Sequence, residues 1–123
     1  MSLGILIYDE QDAAKFIAER TSQQIETAAR FLEARIDYQK MLGQFGSGER
    51  EAMQKESRSH ADLLPIDNIE YLNLVAIYVH RKTNLSVKVI TDMIAEETAY
   101  MVVTKIMDAP AYADIRAWAD QYG

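Results

Sequence analysis

Glu97 is the residue whose type and position could do chemistry. In helical register it shares a face with Ile90, Met93, Ile94 and Met101, the spacing that marks the apolar side of a helix. A carboxylate among such neighbours must be paired, hydrogen-bonded or protonated, because burying it bare is very costly. One reading makes Glu97 a general base or a metal ligand. The other makes it half of a structural pair with His80, Arg81, Lys82 or a tyrosine hydroxyl, across a helix interface within the chain or between subunits. The structural pair is preferred, with Glu97 and His80 as the candidate buried polar site.

Other chemistries leave little trace. The sequence has no cysteine, so thiolate zinc and iron–sulfur sites are excluded. The two histidines, His60 and His80, belong to different segments, with neither Glu-x-x-His nor His-Glu-x-x-His spacing. A carboxylate-only site at Glu96 or Glu97 stays open. There is no Gly-x-Ser-x-Gly turn, and Gly43, Gly46 and Gly48 lack the Lys-Ser/Thr of a phosphate-cradling loop. No cofactor and no metal are expected, and a non-enzymatic role is favoured. General acid–base catalysis needs a single carboxylate or histidine and writes no motif.

The elements that would position these groups are helical. With 123 residues, 49% hydrophobic, five glycines and two prolines, the chain reads as one all-α domain of four to five helices. A long helix is expected over 9–42, with Asp9 as N-cap and Glu10 and Asp12 in its first turn. Asp12, Lys15, Glu19, Glu26, Arg30, Glu33, Asp37 and Lys40 form one narrow charged stripe, and the apolar residues are spread over the rest of the wheel. Unbroken, that helix would be about 51 Å long, against about 35 Å for a compact domain of this size. It must therefore break, best at Thr21-Ser22-Gln23-Gln24, or project and meet a partner chain. The wide apolar arc favours self-association, with Ile25, Ala28, Leu32 and Ile36 as interface candidates in a homodimer or higher homo-oligomer.

Residues 43–65 read as a polar hinge, Gly-Gln-Phe-Gly-Ser-Gly, and an exposed helix with little packing. Asp67 and Glu70 have capping-box spacing, with Ile66 and Tyr71 placed as a hydrophobic staple. Helices are predicted over 68–81 and 87–107, joined at Thr83-Asn84-Leu85-Ser86, and a last one opens at Pro110. The three make a C-terminal unit, a helical hairpin plus a terminal helix, against which the first helix packs. Tyr112, Ile115, Trp118, Ala119 and Tyr122 share one face, read as core docking rather than a partner site. The six methionines are read as gap-fillers. Leu3 to Tyr8 is a candidate extended arm, and no other strand is expected.

Asn84-Leu85-Ser86 followed by Val89-Ile90-Thr91 resembles the core of helix-turn-helix DNA-binding domains over residues 76–95. That resemblance implies a transcriptional regulator contacting phosphates through Arg81, Lys82 and Lys88. The sequence departs from the pattern in three ways. His80 stands where a small residue is wanted, the second helix carries Asp92, Glu96 and Glu97, and it is about twice the length a reading helix needs.

Charge points away from nucleic acid. Residues 1–65 carry 8 basic and 11 acidic side chains and residues 66–123 carry 5 and 8, so each part is −3 and no basic face emerges. No apolar run is long enough for a membrane span. Met1 to Tyr8 lacks the basic region and long apolar core of a signal peptide, so a cytoplasmic location is expected. The preferred function is a small non-enzymatic interaction or regulatory protein acting through helix–helix association. The alternatives are the helix-turn-helix regulator and an enzyme or ligand-binding protein organised around Glu97.

Overall fold

The structure, a computed structural model, describes residues 8–41, 43–60 and 70–122. Among them are six α-helices and no strand: α1 (Glu10–Thr21), α2 (Ile25–Lys40), α3 (Ser47–His60), α4 (Glu70–Thr83), α5 (Val87–Val103) and α6 (Ala109–Asp120). The all-α class is as expected, and the count exceeds the expected four to five. The break in the first segment accounts for the sixth helix, and the helix after the hinge differs in its packing. The 9–42 segment takes one of its two alternatives and breaks at 22–24, and α2 folds back on α1. Residues 47–60 form a full helix that packs on α4. Met53 and Ser57 are buried there, so α3 is held by the core rather than lying loose on the surface.

The starts of α1 and α5 follow their capping signals. Asp9 accepts from the Asp12 amide at 3.0 Å, and Ser86 accepts from the Val89 amide at 3.2 Å, each satisfying a first-turn donor. Three helix ends are less conventional. Ser22, Asn84 and Lys105 follow α1, α4 and α5 in the left-handed conformation, with φ of 57°, 61° and 63°. Behind α5, the Ile106 and Lys105 amides reach back to the Met101 and Val102 carbonyls at 2.8 and 3.0 Å, the paired bonds of a Schellman end. That end stops α5 at Val103, short of the expected 107. Gly43, with φ +88°, takes the left-handed turn after α2.

α5 is the central element. It packs against α6, α1 and α4, while α2 packs on α1 and α4. Every residue from Met93 to Tyr100 is buried, as expected of a helix surrounded on all sides. The expected capping box and staple at Ile66, Asp67, Glu70 and Tyr71, and the extended arm from Leu3 to Tyr8, lie outside the described residues or depend on ones that do. No helix among the described residues is long and apolar enough to cross a membrane.

Candidate functional site

Two adjacent carboxylates, Glu96 and Glu97, sit in the buried stretch of α5 at 4% and 1% exposure. Glu97 Oε1 accepts from Arg35 Nε of α2 at 2.6 Å, and its Oε2 accepts from the Tyr8 hydroxyl. The charge of Glu97 holds the Arg35 guanidinium above its ordinary pKa, although burial opposes this. Burial first, and then Glu97, raises the Tyr8 phenol, which therefore stays a donor. The Tyr8 ring meets Tyr100 edge-on, with centroids 5.4 Å apart. To act as a base, Glu97 would have to release one of these two donors. The pairing includes a tyrosine hydroxyl, as one reading of the sequence allowed, but its cation is Arg35 rather than His80, Arg81 or Lys82.

Glu96 points into a second ionic set. Its Oε1 accepts from Arg20 of α1. Its Oε2 accepts from the Tyr112 hydroxyl at 2.9 Å and from Arg116 of α6 at 3.2 Å. Arg116 also donates to Asp92 and lies 3.0 Å from Asp120, while Lys88 stands 3.2 Å from Asp92. Burial alone would lower the Arg116 pKa, but the hydrogen bonds and charges of Asp92 and Asp120 outweigh it and raise it. Arg20, with its side chain 49% exposed, opens the set to water, where screening weakens each pair. Together the carboxylates of α5 clamp α1, α2 and α6, which is a structural task.

The remaining expected site residues are dispersed. His80 Nδ1 lies 2.6 Å from the Leu85 carbonyl oxygen and, facing an acceptor, donates to it. Arg81 donates to Glu56 of α3 at 2.6 Å. The Lys82 ammonium sits 5.6 Å from the centre of the Tyr78 ring. Lys88 reaches Asp92 and, at 3.3 Å, the Ala119 carbonyl. All three suggested phosphate contacts are thus engaged within the chain. Of the suggested interface residues, Ala28 and Leu32 are buried in the chain's own core and Ile36 is half-buried. Ile25 alone is open, at 52% exposure.

Arg20, Arg35, Arg116 and Tyr8 were not anticipated as site residues, and Glu96 only in an open carboxylate-only site. A signal for two of them was present, because Arg20 and Arg35 fall outside the charged stripe of residues 9–42 and inside its apolar arc. A cation in that position needs a partner as much as Glu97 does. Lys88, Asp92 and Glu96 repeat every four residues and so share one face of α5, where Arg116 of α6 meets the two acids.

Two surface features remain. A polar cleft of about 180 Å³ lies between α2 and the end of α4, lined by Arg30, Glu33, Asp37, Lys82 and Thr83, where Arg30 donates to the Thr83 carbonyl at 2.6 Å. A mainly apolar groove of about 310 Å³ runs between α1 and α2, lined by Glu10, Gln11, Ala14, Lys15, Ile25, Ala29 and Leu32. Among the described residues no three His, Asp or Glu side chains are grouped to hold a metal. No family model, curated protein or solved structure matches this chain.

Proposed function

We propose that the protein is a small, non-enzymatic interaction or regulatory module that works by helix–helix association, with the α1–α2 groove as its binding face. The observation that carries this reading is Ile25. It is a large aliphatic side chain, half exposed at the mouth of an apolar groove, where burial against a partner would remove its surface from water. The two buried carboxylates support the same reading from the other side, since their oxygens are occupied in holding helices together. A catalytic role for Glu97 has less behind it. So has DNA reading, because α5 is covered by α1, α4 and α6. A sequence without cysteine suits a reducing compartment, and we assign its action to the cytoplasm.

An anilinonaphthalene sulfonate dye, titrated against submicromolar protein, tests the reading. Fluorescence should rise as the dye enters the groove. Ile25→Glu should remove most of that rise while leaving the helical circular dichroism unchanged, since an acidic residue at the start of α2 suits the helix dipole. A rise indifferent to Ile25 would sink the reading.

A further inference from the structure

We infer that Tyr8 and Tyr100 form a two-proton alkaline latch: a reciprocal pair of tyrosine–carboxylate hydrogen bonds fastens the start of α1 to α5, and loss of the two phenolic protons releases both bonds in one step. Tyr8, one residue before the α1 N-cap, donates to Glu97 of α5. Tyr100 of α5 donates in the other direction, to Asp12 in the first turn of α1, at 2.8 Å. The two rings meet edge-on, with centroids 5.4 Å apart and planes at 77°. Phe16 of α1 meets the Tyr100 ring in the same manner, at 5.3 Å.

Each bond needs its proton. An ionised carboxylate only accepts, so a phenolate beside it has no bond to give and is repelled unless a cation offsets the charge. Around Tyr8, Glu97 of α5 and Glu10 of α1 oppose ionisation, and Arg35 of α2 favours it. Around Tyr100, Asp12 and Asp9 both oppose it. From α4, Tyr71 acts on Arg35, and from α6, Tyr112 and Arg116 are engaged by Glu96. Burial acts in the same direction as the carboxylates, so both phenols hold their protons above the ordinary tyrosine value, Tyr100 up to about 12.

Shared parts join the two bonds. The rings position each other, Tyr8 and Asp12 both belong to the start of α1, and Glu97 and Tyr100 stand one turn apart on α5. Swinging the start of α1 away from α5 therefore breaks both bonds together and leaves Glu97 with Arg35 alone. In the open form each phenol returns to about 10. Opening then releases two protons between about pH 10 and about 12. Its equilibrium constant rises by up to about a hundredfold per pH unit, against about tenfold for a single phenol.

Nuclear magnetic resonance of the full chain, isotope-labelled at the tyrosine Cζ, tests the inference by following each phenol through an alkaline titration. In wild type, Tyr8 and Tyr100 should ionise at one shared midpoint, more steeply than a single-proton curve. In Tyr8→Phe the Tyr100 curve should relax to single-proton steepness. In Tyr100→Phe the Tyr8 curve should do the same, although neither change removes the remaining phenol's own acceptor. Phenylalanine keeps the ring, and circular dichroism at neutral pH checks that each variant folds. Tyr122, buried against Asn73 and Ser57, is the internal reference and should ionise in a separate step.

Separate midpoints for Tyr8 and Tyr100 in wild type overturn the inference, as does a Tyr100 curve that Tyr8→Phe leaves unchanged. A single step in which Tyr122 ionises with them and the helical signal disappears also overturns it, because the whole chain then unfolds and no latch opens.

Discussion

Arg35 Nε lies 2.6 Å from Glu97 Oε1, and each residue stands in the apolar face of its own helix. α2 and α5 are thus joined through a buried ion pair whose remaining carboxylate oxygen takes the Tyr8 hydroxyl. Such a pair is a weak contributor to net stability but a strict one, since removing one member strands the other charge without water.

Glu97→Gln should therefore destabilise the fold by about 3–5 kcal/mol, although it preserves volume, because Arg35 is left buried without its counter-charge. Removing all the polar members together, in E97L/R35M/Y8F, should recover at least about 2 kcal/mol of that loss. Urea denaturation followed by circular dichroism measures both. If the triple variant is less stable than E97Q, the pair is a true stabiliser rather than a registry device.

Asn73 is a second buried polar hub. Its Oδ1 accepts from Trp118 Nε1 and from the Tyr122 hydroxyl, both at 2.8 Å, and Tyr122 has Ser57 as another partner at 3.1 Å. In Asn73→Leu the tyrosine keeps Ser57, whereas the indole donor is stranded, so a loss of about 1–3 kcal/mol is expected. Pairing it with Trp118→Phe should return part of that loss. Trp118 is the only tryptophan, so its fluorescence during urea unfolding of Asn73→Leu reports on this site directly.

The helices were legible where side chains carried their own punctuation. Asp9 and Ser86 announce the starts of α1 and α5, Pro110 lies in the first turn of α6, and the length of the 9–42 pattern left either a break near Ser22 or a projecting helix. The end of α5 was not legible, because a lysine occupies the left-handed position where glycine is the usual sign. The packing of α3 was hidden for a related reason. Its buried face uses Met53 and Ser57, and a serine that bonds a distant tyrosine looks like surface when read locally. At the site, Glu97 stood out from its apolar neighbours, but its partner lies 62 positions away. Periodicity shows that Arg35 needs an acid and Glu97 a base. Pairing them depends on which helices become neighbours.

The left-handed lysine makes its own prediction. A non-glycine residue in that conformation costs about 1–2 kcal/mol, part of which glycine forfeits through its larger unfolded-state entropy. Lys105→Gly should thus raise stability by up to about 1 kcal/mol, visible as a higher Tm. Lys105→Val, β-branched at the same φ of 63°, should lower it. Equal Tm values for the two variants would mean that the α5 end is not left-handed in solution.

Tyr100 links α5 to α1 through its hydroxyl, which donates to Asp12 at 2.8 Å. Burial first, and then the Asp12 hydrogen bond, push its pKa up to about 12. A phenol whose pKa is higher folded than unfolded binds its proton more tightly in the folded state. Its contribution is present in full below the unfolded value of about 10, and it is lost as the pH rises through about 12. Stability measured by urea at a series of alkaline pH values should therefore fall across that window. Tyr100→Phe, which has no proton to lose, should start about 1 kcal/mol lower at neutral pH and fall less steeply between pH 10 and 12. Identical alkaline slopes for the two proteins would show that the Tyr100–Asp12 contact carries none of this dependence.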